Sequence, residues 1–280
     1  MPLRRTLLAS LTALTVLVSG SACAVGGSGA GTAGGDRSIT DIIRDAVEEA
    51  KKRNQSESGR TSGRQEESGE VLRADTRTQF NYDEYQNMLR QVIALLEQYW
   101  SETLPAAYGV EYSSPQRYEY YRSDEGGGPR CGDEEAPARN AFYCPAGDFI
   151  AWDESGLMIP YYVQGGDFAA AFVLAHEFGH AMQVRLPQQV KLGVIRELQA
   201  DCFAGAWSKW VSEQGRLEAG DLDEATLAVF AARDVPGTPF TDPRAHGSGF
   251  ERTRAFGDGF EIGPRACHPA RADDWVVAAR

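Results

Sequence analysis

Residues 166–183 read GDFAAAFVLAHEFGHAMQ, a mostly apolar run that carries two histidines and one glutamate. Gly165 and Gly166 mark a turn, Asp167 reads as a helix N-cap, and Phe168 to Val184 read as one buried helix. His176 and His180 are four residues apart, so on such a helix they lie within about 40° of each other and can grip one ion. Zinc takes imidazole nitrogens at about 2.0–2.1 Å, and a catalytic zinc has three protein ligands with a fourth position open to water. Glu177 flanks the same face, where it can act as general base toward that water. Burying a glutamate in so apolar a helix is costly unless a cation offsets it.

Moving outward, residues 197–202 read ELQADC within a second predicted helix, about Val194 to Glu213. Glu197 and Asp201 share a face, so one can ligate the ion while the other hydrogen-bonds a ligating imidazole and fixes its tautomer. Arg185 to Gly193 is long enough to reverse the chain, which lets the two helices pack antiparallel around the metal. Cys202 sits about 100° around the helix from Asp201, away from Glu197, which favours a disulfide over ligation. Gly179 costs about 1 kcal/mol relative to alanine in a helix, and either permits close packing against the second helix or is incidental. Two further histidines remain: His246, in AHGSGFER, is a candidate donor to the oxyanion of a tetrahedral intermediate, a task Tyr161 or Tyr162 can also perform. His268, beside Cys267, reads as a surface residue.

The other elements frame this pair. Tyr85, Met88, Leu89, Val92, Leu95, Leu96 and Tyr99 recur at helical spacing and predict a core-facing helix from about Tyr82 to Thr103. Short runs at Ala141–Cys144 and Phe149–Trp152 suggest a small antiparallel sheet before the histidine helix. If Phe149–Trp152 is an edge strand, it can hold a peptide by strand addition. Helices follow at about Leu222–Arg233 and Gly249–Phe260, the latter opened by a capping box of Ser248 and Glu251. The expected class is α+β, mainly helical.

The composition, 42% hydrophobic and 24% charged over 280 residues, is that of a globular protein. Arg4 and Arg5, the apolar run Thr6–Val18 and the small residues Ser19–Ala24 form an export signal too short to span a bilayer comfortably. Two cleavage patterns fit: Ala22–Ala24 suits ordinary signal peptidase and free secretion, whereas Cys23 suits a lipid-modified cysteine that anchors the chain to a membrane. Five cysteines are an odd number for an exported chain, and lipidation of Cys23 leaves Cys131, Cys144, Cys202 and Cys267 to pair evenly. Residues 24–77 are a Gly-, Ser- and Glu-rich tether with one short amphipathic helix at Ile39–Arg53, and 78–280 form the working domain. The net charge of −12, more negative still without the signal, argues against a nucleic-acid partner.

Four segments carry a resemblance: NAFYCPAGDFIAWD (140–153), GDFAAAFVLAHEFGHAMQ (166–183), ELQADCFAGAW (197–207) and HGSGFERTRAF (246–256), with the later Cys267. In order and together they resemble the bacterial neutral zinc metallopeptidase family, of the gluzincin type. The resemblance implies a zincin-like domain, one catalytic zinc ion held by His176, His180 and Glu197, Glu177 as base, and Asp201 supporting a ligand from behind. It also implies disulfides Cys131–Cys144 and Cys202–Cys267. Ala181 departs from the pattern, standing where this family often has a further histidine that is not among the three ligands. The function expected is hydrolysis of a peptide or protein substrate, as an endopeptidase rather than an exopeptidase. The alternative is a non-catalytic, zinc-stabilised envelope lipoprotein acting as an interaction or assembly factor, whose closed site needs a fourth ligand such as Cys202 or His246.

Overall fold

A computed structural model describes residues 80–275, apart from 189, 191 and 192. The export signal, Cys23, the tether and the helix expected at Ile39–Arg53 lie outside the described residues. Helix α1 spans Tyr82–Tyr108, capped by the Asn81 side chain, which accepts from the amides of Asp83 and Glu84. All seven apolar residues of its expected stripe are buried. The helix runs past Thr103 and through Pro105 before ending at Gly109, whose φ is 67°. Proline costs about 3 kcal/mol inside an isolated helix. Here the extra turn buries Leu104 completely and sets Tyr108 edge-on to Phe203, with its hydroxyl donating to the Pro264 carbonyl.

Strands β1 (Arg117–Tyr121), β2 (Arg130–Cys131), β3 (Glu134–Glu135), β4 (Ala141–Cys144) and β5 (Phe149–Asp153) follow. β4 and β5 form the expected antiparallel hairpin, with Ala141 opposite Trp152. The sheet is nonetheless mixed rather than antiparallel, because β1 runs parallel to β5 with Arg117 opposite Phe149. β5 is therefore the central strand, not an edge, and all five of its residues are buried. Its unbroken apolar run is what a strand covered on both faces requires, whereas β4, at the edge, is only half-buried. β2 and β3 pair as a separate ribbon, tied to β4 by the disulfide Cys131–Cys144.

After a π-helical turn at Glu154–Met158 come α2 (Ile159–Gly165), α3 (Asp167–Arg185), α4 (Gly193–Glu213), α5 (Asp221–Ala231) and α6 (Gly249–Ile262). Asp167 is the first residue of α3 rather than its N-cap, a position held by Gly166 at φ 104°. The amide of Phe168 is instead satisfied by the Glu224 carboxylate of α5, which packs where a side chain on residue 166 would stand. α3 is buried on almost every face, as its composition requires. It meets α4 at Gly179, where a Cβ would lie 2.9 Å from the Ala200 Cα, and Phe168 stacks on Trp207 with ring centroids 5.7 Å apart. α4 in turn lies against α6 backbone to backbone, since a Cβ on Gly205 would come within 2.0 Å of the Phe256 carbonyl. The Ser248–Glu251 capping box opens α6, and the disulfide Cys202–Cys267 joins α4 to the turn after it. The molecule is of the α+β class, helices dominating over a small mixed sheet. Among the described residues no helix is long and apolar enough to cross a membrane.

Candidate metal centre

Two helices converge on one point. His176 and His180 project from the same face of α3, and Glu197 reaches them from α4. The two Nε2 atoms are 3.2 Å apart, and the Glu197 carboxylate lies 3.3 Å from His176 Nε2 and 3.5 Å from His180 Nε2. None of the other described His, Cys, Asp or Glu residues adds an atom to this cluster. Cys202, considered above as a ligand, is bonded to Cys267.

The surroundings decide where the imidazole protons are. His176 Nδ1 lies 2.8 Å from Asp201 Oδ1, and a carboxylate can only accept, so Nδ1 carries the proton. For His180 the partner is Gln183, whose Nε2 donates to the Arg196 carbonyl at 2.6 Å; its Oε1 therefore faces His180 Nδ1 at 2.9 Å and accepts there. Both Nε2 atoms therefore face each other and the Glu197 carboxylate, and the arrangement needs positive charge between them, from protons on the imidazoles or from a metal ion.

Asp201 is itself held. Arg252, from α6, grips it along one edge of its guanidinium, Nε to Oδ2 at 2.8 Å and Nη2 to Oδ1 at 2.8 Å, while Nη1 donates to the Ala232 carbonyl at 2.5 Å. Arg252 is 2% exposed and Asp201 fully buried. Burial pushes the Asp201 carboxyl up, but Arg252 and then His176 outweigh it and keep the acid ionised. Burial likewise disfavours the His176 cation, an effect reversed by the hydrogen bond and charge of Asp201 and by Glu197. Glu197 is held low by His180 and His176 against the desolvation that would raise it.

The cluster opens on a cleft of about 410 Å³. Glu177 lines it beside His176, and among the described residues no side chain hydrogen-bonds its carboxylate. Ala141 and Phe142 of the β4 edge form one wall. His246 also lines the cleft, from the loop between α5 and α6, with its ring exposed and its Nδ1 3.6 Å from Asp234 Oδ1. Asp234 pins that loop by accepting from the amides of His246 and Gly247. Tyr161 faces the cleft, and burial raises its pKa; Tyr162 is buried and packs edge-on to Tyr85. His268 is exposed at the surface, stacked on Tyr108.

Residues 18–270 match the family described as "Putative neutral zinc metallopeptidase". The chain belongs to that family. The uncharacterized protein YpfJ of Escherichia coli strain K12 is 34% identical over 212 residues, covering 67% of this chain and 72% of its own length. The uncharacterized protein Rv2575 of Mycobacterium tuberculosis strain H37Rv is 31% identical over 163 residues, 48% of this chain and 56% of its own. No solved structure matches the chain.

Zinc, the metal that membership implies, suits these donors. A tetrahedral ion with ligands at about 2.0–2.1 Å sets its ligand atoms about 3.3–3.4 Å apart. The separations of 3.2 Å between the two Nε2 atoms and of 3.3 Å from His176 Nε2 to Glu197 Oε2 lie close to that value, while His180 Nε2 is 3.5 Å from the other carboxylate oxygen, Oε1. Neither Arg252 nor Gln183 is marked out by the residues alone. An arginine one residue after a capping-box glutamate reads as solvent-facing, and Gln183 closes a helix like any polar residue. The signal for Gln183 was its spacing, three residues after His180, which puts its amide against that ring.

Proposed function

We propose that the chain is an exported zinc-dependent endopeptidase whose ligands are His176, His180 and Glu197 and whose general base is Glu177. The observation that carries this reading is the meeting of three potential ligand atoms, from His176, His180 and Glu197, beside the Glu177 carboxylate in an open cleft. A structural zinc site is closed by four protein atoms. This cluster has three, and its neighbour is a base.

A zinc ion held there supplies Lewis acidity, polarising a peptide carbonyl and lowering the pKa of water. Glu177 takes the proton of the attacking water and passes it to the leaving amine nitrogen as the C–N bond breaks. Asp201 and Gln183 hold the two imidazoles in the tautomer that leaves Nε2 free, and Arg252 holds Asp201. His246 donates to the carbonyl oxygen as negative charge develops on it. The substrate adds as an extended strand to the free edge of β4, the role first considered for Phe149–Trp152, so that backbone hydrogen bonds align its carbonyl over the site. Strand addition reads a chain by its middle, which supports endopeptidase action.

Export through the Arg4–Val18 signal and anchoring through a lipid on Cys23 belong to the same proposal. The two disulfides support it, since such bonds persist in oxidising compartments.

The test compares wild type with Glu177→Gln for zinc content and for cleavage of a mixed peptide library. Both should bind one zinc, and the variant should lose about 10²- to 10⁴-fold in rate, the usual contribution of a general base. If wild type cleaves nothing that the variant spares, the peptidase assignment is wrong.

A further inference from the structure

Two arginines line the cleft, and they are differently disposed. Arg252 is buried and committed to Asp201. Arg139 is exposed, and its guanidinium pairs with no described group; its one hydrogen bond comes from its backbone amide, which donates to Asp153 Oδ2 at 2.8 Å.

Its backbone is the unusual part. Arg139 has φ 59°, one of two non-glycine residues in the left-handed region among the described residues, the other being Asp148. Asp148 has an evident reason, since it accepts from Arg185 and from the Tyr143 hydroxyl. For Arg139 no polar partner of the side chain repays the conformation. It occupies the turn between Pro137 and Asn140, at a position where glycine or asparagine is the ordinary choice. The turn is built to hold it: buried Asp153 takes the Arg139 amide, the Asp153 amide donates to the Asn140 carbonyl at 2.8 Å, and the Tyr121 hydroxyl donates to the Pro137 carbonyl at 2.6 Å. Gly156 leaves room for the arginine stem, whose Cγ lies 3.2 Å from where a Cβ on residue 156 would be. A rigid, costly turn thus delivers an unpaired cation to the cleft, two residues before the edge strand that forms its wall.

We infer that Arg139 is a specificity-determining residue that binds a carboxylate of the substrate. This rests on the peptidase reading of the cleft and adds to it a chemical class: peptides with an acidic side chain, or a free C-terminal carboxylate, within reach of the β4 end of the site. A planar guanidinium carried on a held turn suits a carboxylate, which it can take in two parallel hydrogen bonds. A neutral amide of the same shape offers no such pairing.

The test uses octapeptides on an Ala/Leu scaffold in which each position in turn is Glu or Gln, each made with a free or an amidated C-terminus. Cleavage is measured with the zinc-loaded wild type. Binding is measured by fluorescence anisotropy with zinc-loaded Glu177→Gln, alone and combined with Arg139→Gly, Arg139→Lys or Arg139→Glu. Glycine suits the left-handed backbone, so loss of folding is not at issue in that variant. The expected result is a preference of about tenfold for the carboxylate over its amide at one position. Arg139→Gly abolishes it, Arg139→Lys keeps part of it, and Arg139→Glu reverses it. If the preferred carboxylate is internal the source is an acidic side chain, and if it is lost on amidation the source is the C-terminus. Equal binding of Glu and Gln peptides and of free and amidated termini, or a preference that survives in Arg139→Gly, overturns the assignment. Carboxylate-selective binding that depends on Arg139 without any cleavage sustains it while sinking the peptidase reading.

Discussion

Replacing Arg252 by methionine tests whether the chain of contacts from α6 through Asp201 to His176 is what holds the centre. Methionine fills much of the space but removes two charged hydrogen bonds, each 2.8 Å long, from a carboxylate that has no access to solvent. Removing one partner of a buried ion pair costs roughly 3–5 kcal/mol, because the remaining charge is stranded. For a domain of about this size, 1 kcal/mol moves the melting temperature by about 2–4 °C, so a fall of roughly 6–20 °C follows. Asp201 then loses the brace that aims Oδ1 at His176 Nδ1, and loss of such support weakens metal binding by about 10- to 100-fold. Melting is followed by circular dichroism in chelator and in zinc, and affinity by competition with a chromophoric chelator. The double variant Asp201→Leu/Arg252→Met removes both charges and should be less destabilised in chelator than the two single losses add up to, while still binding zinc weakly. A single variant that melts within 2 °C of wild type and binds zinc equally, within about twofold, would refute the reasoning.

Two further perturbations probe the frame around the site. Gly179→Ala gains about 1 kcal/mol of helix propensity yet places a Cβ 2.9 Å from the Ala200 Cα, so the net effect is a loss of roughly 1–3 kcal/mol, visible in urea unfolding; a stabilised variant would show that α3 and α4 can part freely. Asp153 gives a pH signature: burial raises its carboxyl, but hydrogen bonds from the Ser123 hydroxyl and from the amides of Arg139, Gly156 and Ser123 outweigh that and hold it at about 2. Its folded pKa lies below the unfolded value of 3.8, so the stabilisation, about 2 kcal/mol, is present above that value and is lost as pH falls through it toward 2. The stability gap between wild type and Asp153→Asn should narrow over that window in unfolding measured at stepped pH, and a gap independent of pH would contradict the account.

What the residues disclose follows from how far each relation reaches along the chain. Side chains four apart on a helix face the same way whatever surrounds them, so the pairing of His176 with His180, and of Glu197 with Asp201, is written locally. The apolar stripe of α1 is equally local, and its extra turn past Pro105 is not, because that turn exists for contacts with Phe203 and Pro264, far along the sequence. β1 escaped notice for a similar reason: RYEYY has no strong apolar alternation, and its parallel match to β5 is set across an intervening ribbon and hairpin. That pairing has a functional consequence, since it encloses β5 and hands the free edge, and with it the cleft wall, to β4.

Arg252 and Arg139 show the same limit from opposite directions. Both are arginines in polar-looking contexts, and nothing within a few residues of either separates them. Arg252 is buried because Gly205 and Gly259 let α6 lie directly on α4, bringing residue 252 onto residue 201 across a separation of 51. Arg139 is displayed because Asp153, Tyr121 and Gly156 together hold open a turn that the local sequence would not choose. One arginine is consumed in fixing the metal ligands and the other is left with its charge unspent at the mouth of the same cleft. A cation that the fold takes trouble to position and does not use internally is available to a ligand, and under the proposed peptidase reading of the cleft that ligand is the substrate's own carboxylate.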